Sequence, residues 1–246
     1  WTTTPWTIPC NKAIAYSKKL KYKLIEVKKD FESLNLSKGE KFLLAESLIS
    51  FFCDEHSIDE YEILEELKAN DLQKLKCEHP LKDIGYNLEV PIFQGSHVSD
   101  EAGTGFVHIA PNHGLEDFEV GIENNLENIS TINEKGVYTD NTPHFKGKHI
   151  FKAEEEVIQE LRNSNSLLSC KDYIHSYPHS WRSKAPLIFR ATSQWFISLD
   201  KKNLRKTVLD EIEKVEWIPK ISKNRIQSMI RERPDWCVSR QRSWGV

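Results

Sequence analysis

Apolar residues recur along this chain at two different spacings, and the alternation between them sets the predicted elements. Ala13-Ile14-Ala15-Tyr16 and Tyr22-Lys23-Leu24-Ile25-Glu26-Val27 crowd β-branched and aromatic side chains together, as strands do. From Lys38 to Cys53 the apolar positions Phe42, Leu43, Ala45, Leu48, Ile49 and Phe52 return at three and four residues, the spacing of an amphipathic helix. Tyr61, Leu64 and Leu67 predict a weaker helix over Ile58 to Leu67, with Asp59 and Glu60 suiting its positive N-terminal end. Leu72 to Cys77 and Tyr86 to Phe93 read as strands, with Pro91 marking an edge or a bulge. Phe106 to Ile109 reads as a short strand stopped by Pro111. Leu115 to Leu126 and Ala153 to Leu161 read as helices, and Glu134-Lys135-Gly136 and Thr142-Pro143 as turns. Further on, Leu167 to Ile174, Leu187 to Arg190 and Gln194 to Ile197 look like strands. Leu204 to Val215 and Ser222 to Arg231 look like helices.

Strands outnumber helices and are not regularly interleaved with them. The expected class is therefore α+β, a β-barrel-like domain with peripheral helices rather than a doubly wound sheet. Two prolines, Pro178 and Pro186, coincide with a change of charge, which divides the chain into residues 1–180 and 181–246. The first part carries 19 basic against 30 acidic side chains, the second 15 against 7. A net −11 followed by +8 suggests that the tail faces a polyanion or an acidic partner; a solvated helical surface accounts for it equally well.

With 39% hydrophobic residues among 246, the chain can bury a core, which excludes wholesale disorder. No run approaches the ~18 apolar residues of a membrane span, so no membrane partner is expected. Met229 is the only methionine and no signal peptide opens the chain, so it reads as a piece of something longer. Cys10, Cys53, Cys77, Cys170 and Cys237 are odd in number, widely spaced and without CxxC, pointing to free thiols in a reducing cytoplasm.

Two segments concentrate candidate chemistry. Gly103-Thr104-Gly105 precedes a strand ending in His108, and Ala110-Pro111-Asn112-His113 leads to a helix with Asp117 in its first turn. An ionised Asp117 would anchor an ammonium, and His108 would polarise a water or a sugar hydroxyl. The alternative is that Asp117 offsets the helix dipole and His108 is a satisfied core histidine. Thr2-Thr3-Thr4-Pro5-Trp6-Thr7 supplies uncharged donors and acceptors suited to an ester or a water, with Trp6 as an apolar wall; an edge strand rich in threonine is the plainer account. Metal ligation is not expected: His108 and His113 are separated across Pro111, His175 and His179 across Pro178, and His144 and His149 flank a turn. GxxxxGK[ST], GxGxxG and GxSxG are all absent, so ATP chemistry is not encoded here.

Four blocks in order resemble the editing domain (connective peptide 1) of the isoleucyl-tRNA synthetase family. They are Trp1-Thr2-Thr3-Thr4-Pro5-Trp6-Thr7-Ile8-Pro9, Gly103 to Asp117, Ser193-Gln194-Trp195-Phe196, and Arg233-Pro234-Asp235-Trp236-Cys237-Val238-Ser239-Arg240-Gln241-Arg242-Ser243-Trp244-Gly245. Cys10, Asn112 and Ser193 depart from the common residues at their positions. The resemblance implies an editing β-barrel over 1–180 and a basic return segment over 181–246 leading back to a class I catalytic core. It implies hydrolysis of valine misattached to tRNA(Ile), because one methylene discriminates by only about 1–3 kcal/mol, isoleucine against valine being the standing example. It casts Asp117, His108, Thr3 and Thr4 as the catalytic set: Asp117 anchors the α-ammonium, Thr3 and Thr4 line the site near the ester with Thr2, and His108 sits beside the ribose hydroxyls and helps exclude the longer side chain. It gives Thr2, Trp6, Thr7, Asn11, Ala110 and His113 to the pocket, Asn11 toward the terminal adenosine, and Gly103, Thr104 and Gly105 to the tRNA. It implies no metal or cofactor in this piece, ATP and Mg belonging to the catalytic part. The expected partners are the tRNA(Ile) 3′ end and the rest of the parent in cis, in the cytoplasm, with the fragment monomeric. A valine-type domain clearing threonine, and a non-catalytic tRNA-binding module, are the rival readings.

Overall fold

A computed structural model describes residues 1–239. The last part of the fourth block, Arg240 to Gly245, lies outside the described residues. Contacts divide the chain into a unit from Trp1 to Ala191 and a second beginning at Thr192.

The first unit opens with a 3₁₀ helix, Pro5–Cys10, started by a proline whose fixed φ suits a first turn. Next come β1 (Ala13–Tyr16), β2 (Tyr22–Val27), β3 (Lys41–Ala45), α1 (Ile49–Glu55), β4 (Tyr61–Leu67), α2 (Ala69–Leu72), β5 (Lys76–Glu78), β6 (Glu89–Gln94), β7 (Phe106–Ile109), α3 (Leu115–Glu123) and α4 (Ile150–Asn163). One sheet has the order β5-β6-β1-β7 and a second the order β3-β2-β4. The α+β class stands, but among the described residues the strands form open sheets and no closed barrel.

Several expected elements change type. The helix expected from Lys38 splits, its first half becoming β3, which pairs antiparallel with β2 in the register Ile25↔Phe42. The helix expected over Ile58 to Leu67 is β4, on the other edge of β2. Leu72 to Cys77 is the end of α2 followed by β5, and neither Leu167 to Ile174 nor Leu187 to Arg190 forms a strand. An available partner strand overrides a short apolar spacing in the first two cases, and the want of one leaves the last two irregular.

Two features of this unit position the site. β7 lies antiparallel to β1, with Ile14 opposite His108. The 3₁₀ helix packs on α4 over a core of Trp6, Cys10, Leu81, Tyr86, Ala110, Tyr138, Phe145, Ile150, Ala153 and Val157. The buried Tyr138 hydroxyl donates to the Trp6 carbonyl at 2.6 Å, tying that helix down.

In the second unit, β8 (Phe196–Ile197) pairs with β9 (Trp236–Cys237), and α5 (Leu204–Lys214) packs on α6 (Ser222–Arg231). Arg205 joins the two helices. It grips Asp200 with a two-pronged ion pair, at 2.8 and 2.9 Å, and donates to the Ile230, Arg231 and Arg233 carbonyls at the end of α6.

Candidate functional site

The hydroxyl run and the histidine strand meet. Thr4 caps the entry to the 3₁₀ helix, and its carbonyl accepts both the amide and the hydroxyl of Thr7, at 3.0 and 2.8 Å. Since the Thr7 proton points at Thr4, its oxygen lone pairs face His108, whose Nε2–H donates to it at 2.9 Å. On the other side of the ring, Nδ1 faces the Asn11 amide nitrogen at 3.3 Å, and that nitrogen also donates to the Ala13 carbonyl at 2.9 Å. Both imidazole nitrogens are therefore occupied, and the network assigns the neutral Nε2–H tautomer. Burial lowers the His108 pKa to about 4, which agrees with a neutral ring.

Asp117 lies in the first turn of α3 and reaches back to the end of β7. Its Oδ2 accepts the Ala110 amide at 2.8 Å. Gly114, which precedes the helix, leaves room for this: a Cβ there would stand 3.2 Å from the Asp117 carboxyl carbon. Burial raises the Asp117 pKa, and the Ala110 amide opposes the rise. No lysine or arginine pairs with it, and its second oxygen accepts no hydrogen bond among the described residues. A half-buried carboxylate with no cation is costly in isolation and suited to receive one.

His113 forms the next part of the wall. Its Nδ1–H donates to the Phe189 carbonyl at 3.0 Å, so Nε2 accepts from the Thr131 hydroxyl at 2.8 Å. The ring stands edge-on to Trp6 at 5.3 Å, and burial lowers its pKa. Nothing at Thr131, Tyr138 or Phe189 in the sequence signalled these contacts, since each partner is brought in only by the fold.

The other expected residues are placed as follows. The Thr2 hydroxyl accepts the Thr4 amide at 3.0 Å, whereas the Thr3 hydroxyl makes no hydrogen bond among the described residues. Gly103 lies against Trp1, where a Cβ would come within 3.1 Å of the Trp1 Cβ. Gly105, at φ +79°, is pressed on Ala45 so closely that a Cβ would stand 2.4 Å from that of Ala45. The Thr104 carbonyl accepts the Ala45 amide at 2.9 Å. A separate hollow of about 660 Å³, with Gln73, His97, Glu116, Glu119 and Glu123 in its walls, includes none of the expected site residues. Among the described residues no three His, Cys, Asp or Glu side chains gather as metal ligands, and no helix is long and apolar enough to cross a membrane.

The chain is similar to known proteins over its whole length. It is 46% identical over 245 residues to the isoleucine–tRNA ligase of Idiomarina loihiensis and 44% identical over 246 residues to that of Pelagibacter ubique. The whole chain is covered in both comparisons, and it spans about a quarter of the length of these curated relatives, 25% and 27%. Among solved structures, GlLeuRS-CP1 is similar with a TM-score of 0.50 at 13% identity, covering 70% of this chain and 83% of that one. The P. knowlesi cytosolic leucyl-tRNA synthetase editing domain also reaches 0.50, at 10% identity, covering 67% and 80%. At such identities the likeness concerns the fold alone, and it agrees with the mixed sheets and helices described above. The model of the family "tRNA synthetases class I (I, L, M and V)" matches residues 4–246, essentially the entire sequence, and the chain belongs to that family.

Proposed function

We propose that the chain is the editing domain of an isoleucine–tRNA ligase and hydrolyses valine misattached to tRNA(Ile). The observation that carries this reading is Asp117, a half-buried carboxylate fixed by the Ala110 amide and paired with no lysine or arginine among the described residues. An α-ammonium supplies that cation, and the ester it belongs to then lies toward the Thr2–Thr4 hydroxyls. The similarity to isoleucine–tRNA ligases and the fold likeness to editing domains support the same choice.

In this reading no side chain acts as nucleophile. Water attacks the ester carbonyl, the bond from that carbon to the ribose oxygen breaks, and valine leaves as its carboxylic acid. The ribose hydroxyl is restored, with its vicinal hydroxyl relaying the proton. Hydrogen bonds from Thr3 and Thr4 orient the water and the oxyanion. His108 is a neutral wall beside the ribose rather than a base, because both of its nitrogens are engaged. Thr7, Trp6, Ala110 and His113 complete the wall, and the Asn11 carbonyl oxygen, free of partners among the described residues, faces a ribose hydroxyl. Gly103–Gly105 and the basic residues from Trp181 onward meet the RNA. The step uses neither ATP nor metal, which belong to the ligation site elsewhere in the parent, a cytoplasmic enzyme.

The test is deacylation of valyl-tRNA(Ile), isoleucyl-tRNA(Ile) and threonyl-tRNA(Val) by the chain, with Asp117→Ala as control. Valyl-tRNA(Ile) hydrolysis that disappears in the variant is expected. A preference for threonyl-tRNA(Val), or binding of tRNA with no Asp117-dependent hydrolysis, overturns the reading.

A further inference from the structure

One aromatic run plays no part in the site as described. Tyr173, His175, Tyr177 and His179 alternate with Ile174, Ser176 and Pro178 in a stretch that forms neither helix nor strand. Successive rings are in contact. Tyr173 and His175 stack at 5.9 Å with 25° between their planes, and His175–Tyr177 and Tyr177–His179 follow edge-on at 6.0 Å each. The His179 Nδ1–H donates to the Tyr177 carbonyl at 2.9 Å, which fixes the far end of the row.

The run meets the site at its first ring. Trp1, which lies on Gly103, meets Tyr173 edge-on at 5.7 Å. Trp1 immediately precedes the threonines, so the row starts beside the hydroxyl stretch. Tyr173 nevertheless remains 61% exposed, and His175 is exposed beside it. Just beyond, the Arg182 guanidinium lies 5.0 Å over the Trp181 ring, and Lys184 is exposed. Exposed stacked rings followed by cations are the pairing that single-stranded nucleic acid requires, a π-face for a base and charge for the phosphate behind it.

We propose that Tyr173 and His175 form the platform on which the terminal base of the esterified RNA stacks, with Arg182 and Lys184 receiving the phosphates that follow. This deepens the editing reading and rests on it. The rings give affinity for the nucleotide without touching the ester, so they are positioning residues: they set how often the ester reaches the threonines.

The experiment compares the valyl ester of adenosine with the valyl ester of a ribose that carries no base, using the whole chain. The base should lower KM roughly tenfold and leave kcat unchanged, as a single stacked base does. The double variant Tyr173→Ala/His175→Ala should raise KM for the adenosine ester by about the same factor, erase the preference for the base and leave the melting temperature unmoved. Tyr173→Phe, which keeps the ring, should behave as wild type. Equal KM values for the two esters in wild type, or a preference that survives in the double variant, would overturn the platform while hydrolysis itself upheld the editing reading. Failure of wild type to hydrolyse either ester would overturn both.

Discussion

Replacing Asp117 by Asn removes one charge and almost nothing else. The amide oxygen can still accept the Ala110 N–H that Oδ2 now takes at 2.8 Å, so the turn into α3 keeps its hydrogen bond. What is lost is the attraction for an ammonium in a half-buried place. Removing one partner of such a pair costs about 2–5 kcal/mol. Taking about 3 kcal/mol, at 1.36 kcal/mol per tenfold, kcat/KM for valyl-tRNA(Ile) should fall on the order of 100-fold. Stability should move the other way. The folded pKa of Asp117 is raised by burial, so the folded chain holds its proton more tightly than the unfolded chain. Stability attributable to this group is therefore greatest at acid pH and declines as pH rises through the folded pKa, leaving a net cost at pH 7. Asn carries no such cost, and the variant should melt at the same temperature or higher. The assay pairs initial deacylation rates with thermal melts followed by circular dichroism at pH 7. Wild-type kcat/KM should also show an acid limb displaced above the usual carboxylate range, which the variant lacks. Hydrolysis within threefold of wild type, or a clearly lower melting temperature, would refute the assignment of an unpaired anchoring carboxylate.

On the proposed editing reading, His108→Ala opens the wall, so isoleucyl-tRNA(Ile), which wild type should refuse, should become a substrate; the measurement is the ratio of isoleucyl to valyl hydrolysis. The folded pKa of His108 is lowered by burial to about 4, below the ordinary ~6.5, so its stabilising share is present above pH ~6.5 and lost as pH falls through about 4. Urea melts at pH 7 and 4.5 should differ less for His108→Gln than for wild type. Part of the difference should persist, because burial also lowers His79 to about 4. Gly105→Ala places a Cβ 2.4 Å from that of Ala45 at a φ of +79°, and should lose about 2–4 kcal/mol in chemical denaturation. A loss below 1 kcal/mol would mean that the β7 approach gives way easily.

How much of this was legible depended on whether a segment's partners lie within it. β1, β2 and β7 matched their patterns, and so did α3, α4, α5 and α6, because each carries its own signal in one face or one alternation. β3 and β4 did not. Phe42 to Ala45 is an unbroken apolar run, which periodicity cannot resolve, and β2 decides it by pairing Ile25 with Phe42. β4 sits at an edge with Glu62, Ile63, Leu64, Glu65 and Glu66 all exposed, so the alternation that marks a half-buried strand is missing. The site follows the same division. Asp117 at a helix start and the threonine run were visible as residue types in order. The state of His108 was not, since it depends on which way the Thr7 proton points and on Asn11 97 residues away. Likewise, a sequence does not announce that Tyr138 holds the carbonyl of Trp6 across 132 residues.

The hydrogen-bond inventory suggests how such a site would refuse isoleucine while holding valine. The wall is saturated: His108, His113 and Thr7 each have their polar atoms engaged. Among the described residues the Thr3 hydroxyl, the Asn11 side-chain oxygen and one Asp117 oxygen are left over. An extra methylene gains about 0.8 kcal/mol by burial. With the proposed placement of the His108 ring against the amino-acid side chain, admitting the methylene means turning the ring away from both Thr7 and Asn11. Each hydrogen bond lost there with its partner still enclosed costs about 1–3 kcal/mol. Two such losses exceed the gain severalfold, so on the proposed reading the neutral, doubly held imidazole should exclude the longer side chain more firmly than an apolar residue of equal size. A protonated His108 would have no use for Asn11, whose amide nitrogen is a donor like itself. The burial that keeps the ring neutral is thus also what keeps the wall in place, and discrimination should relax under the acid conditions that protonate it.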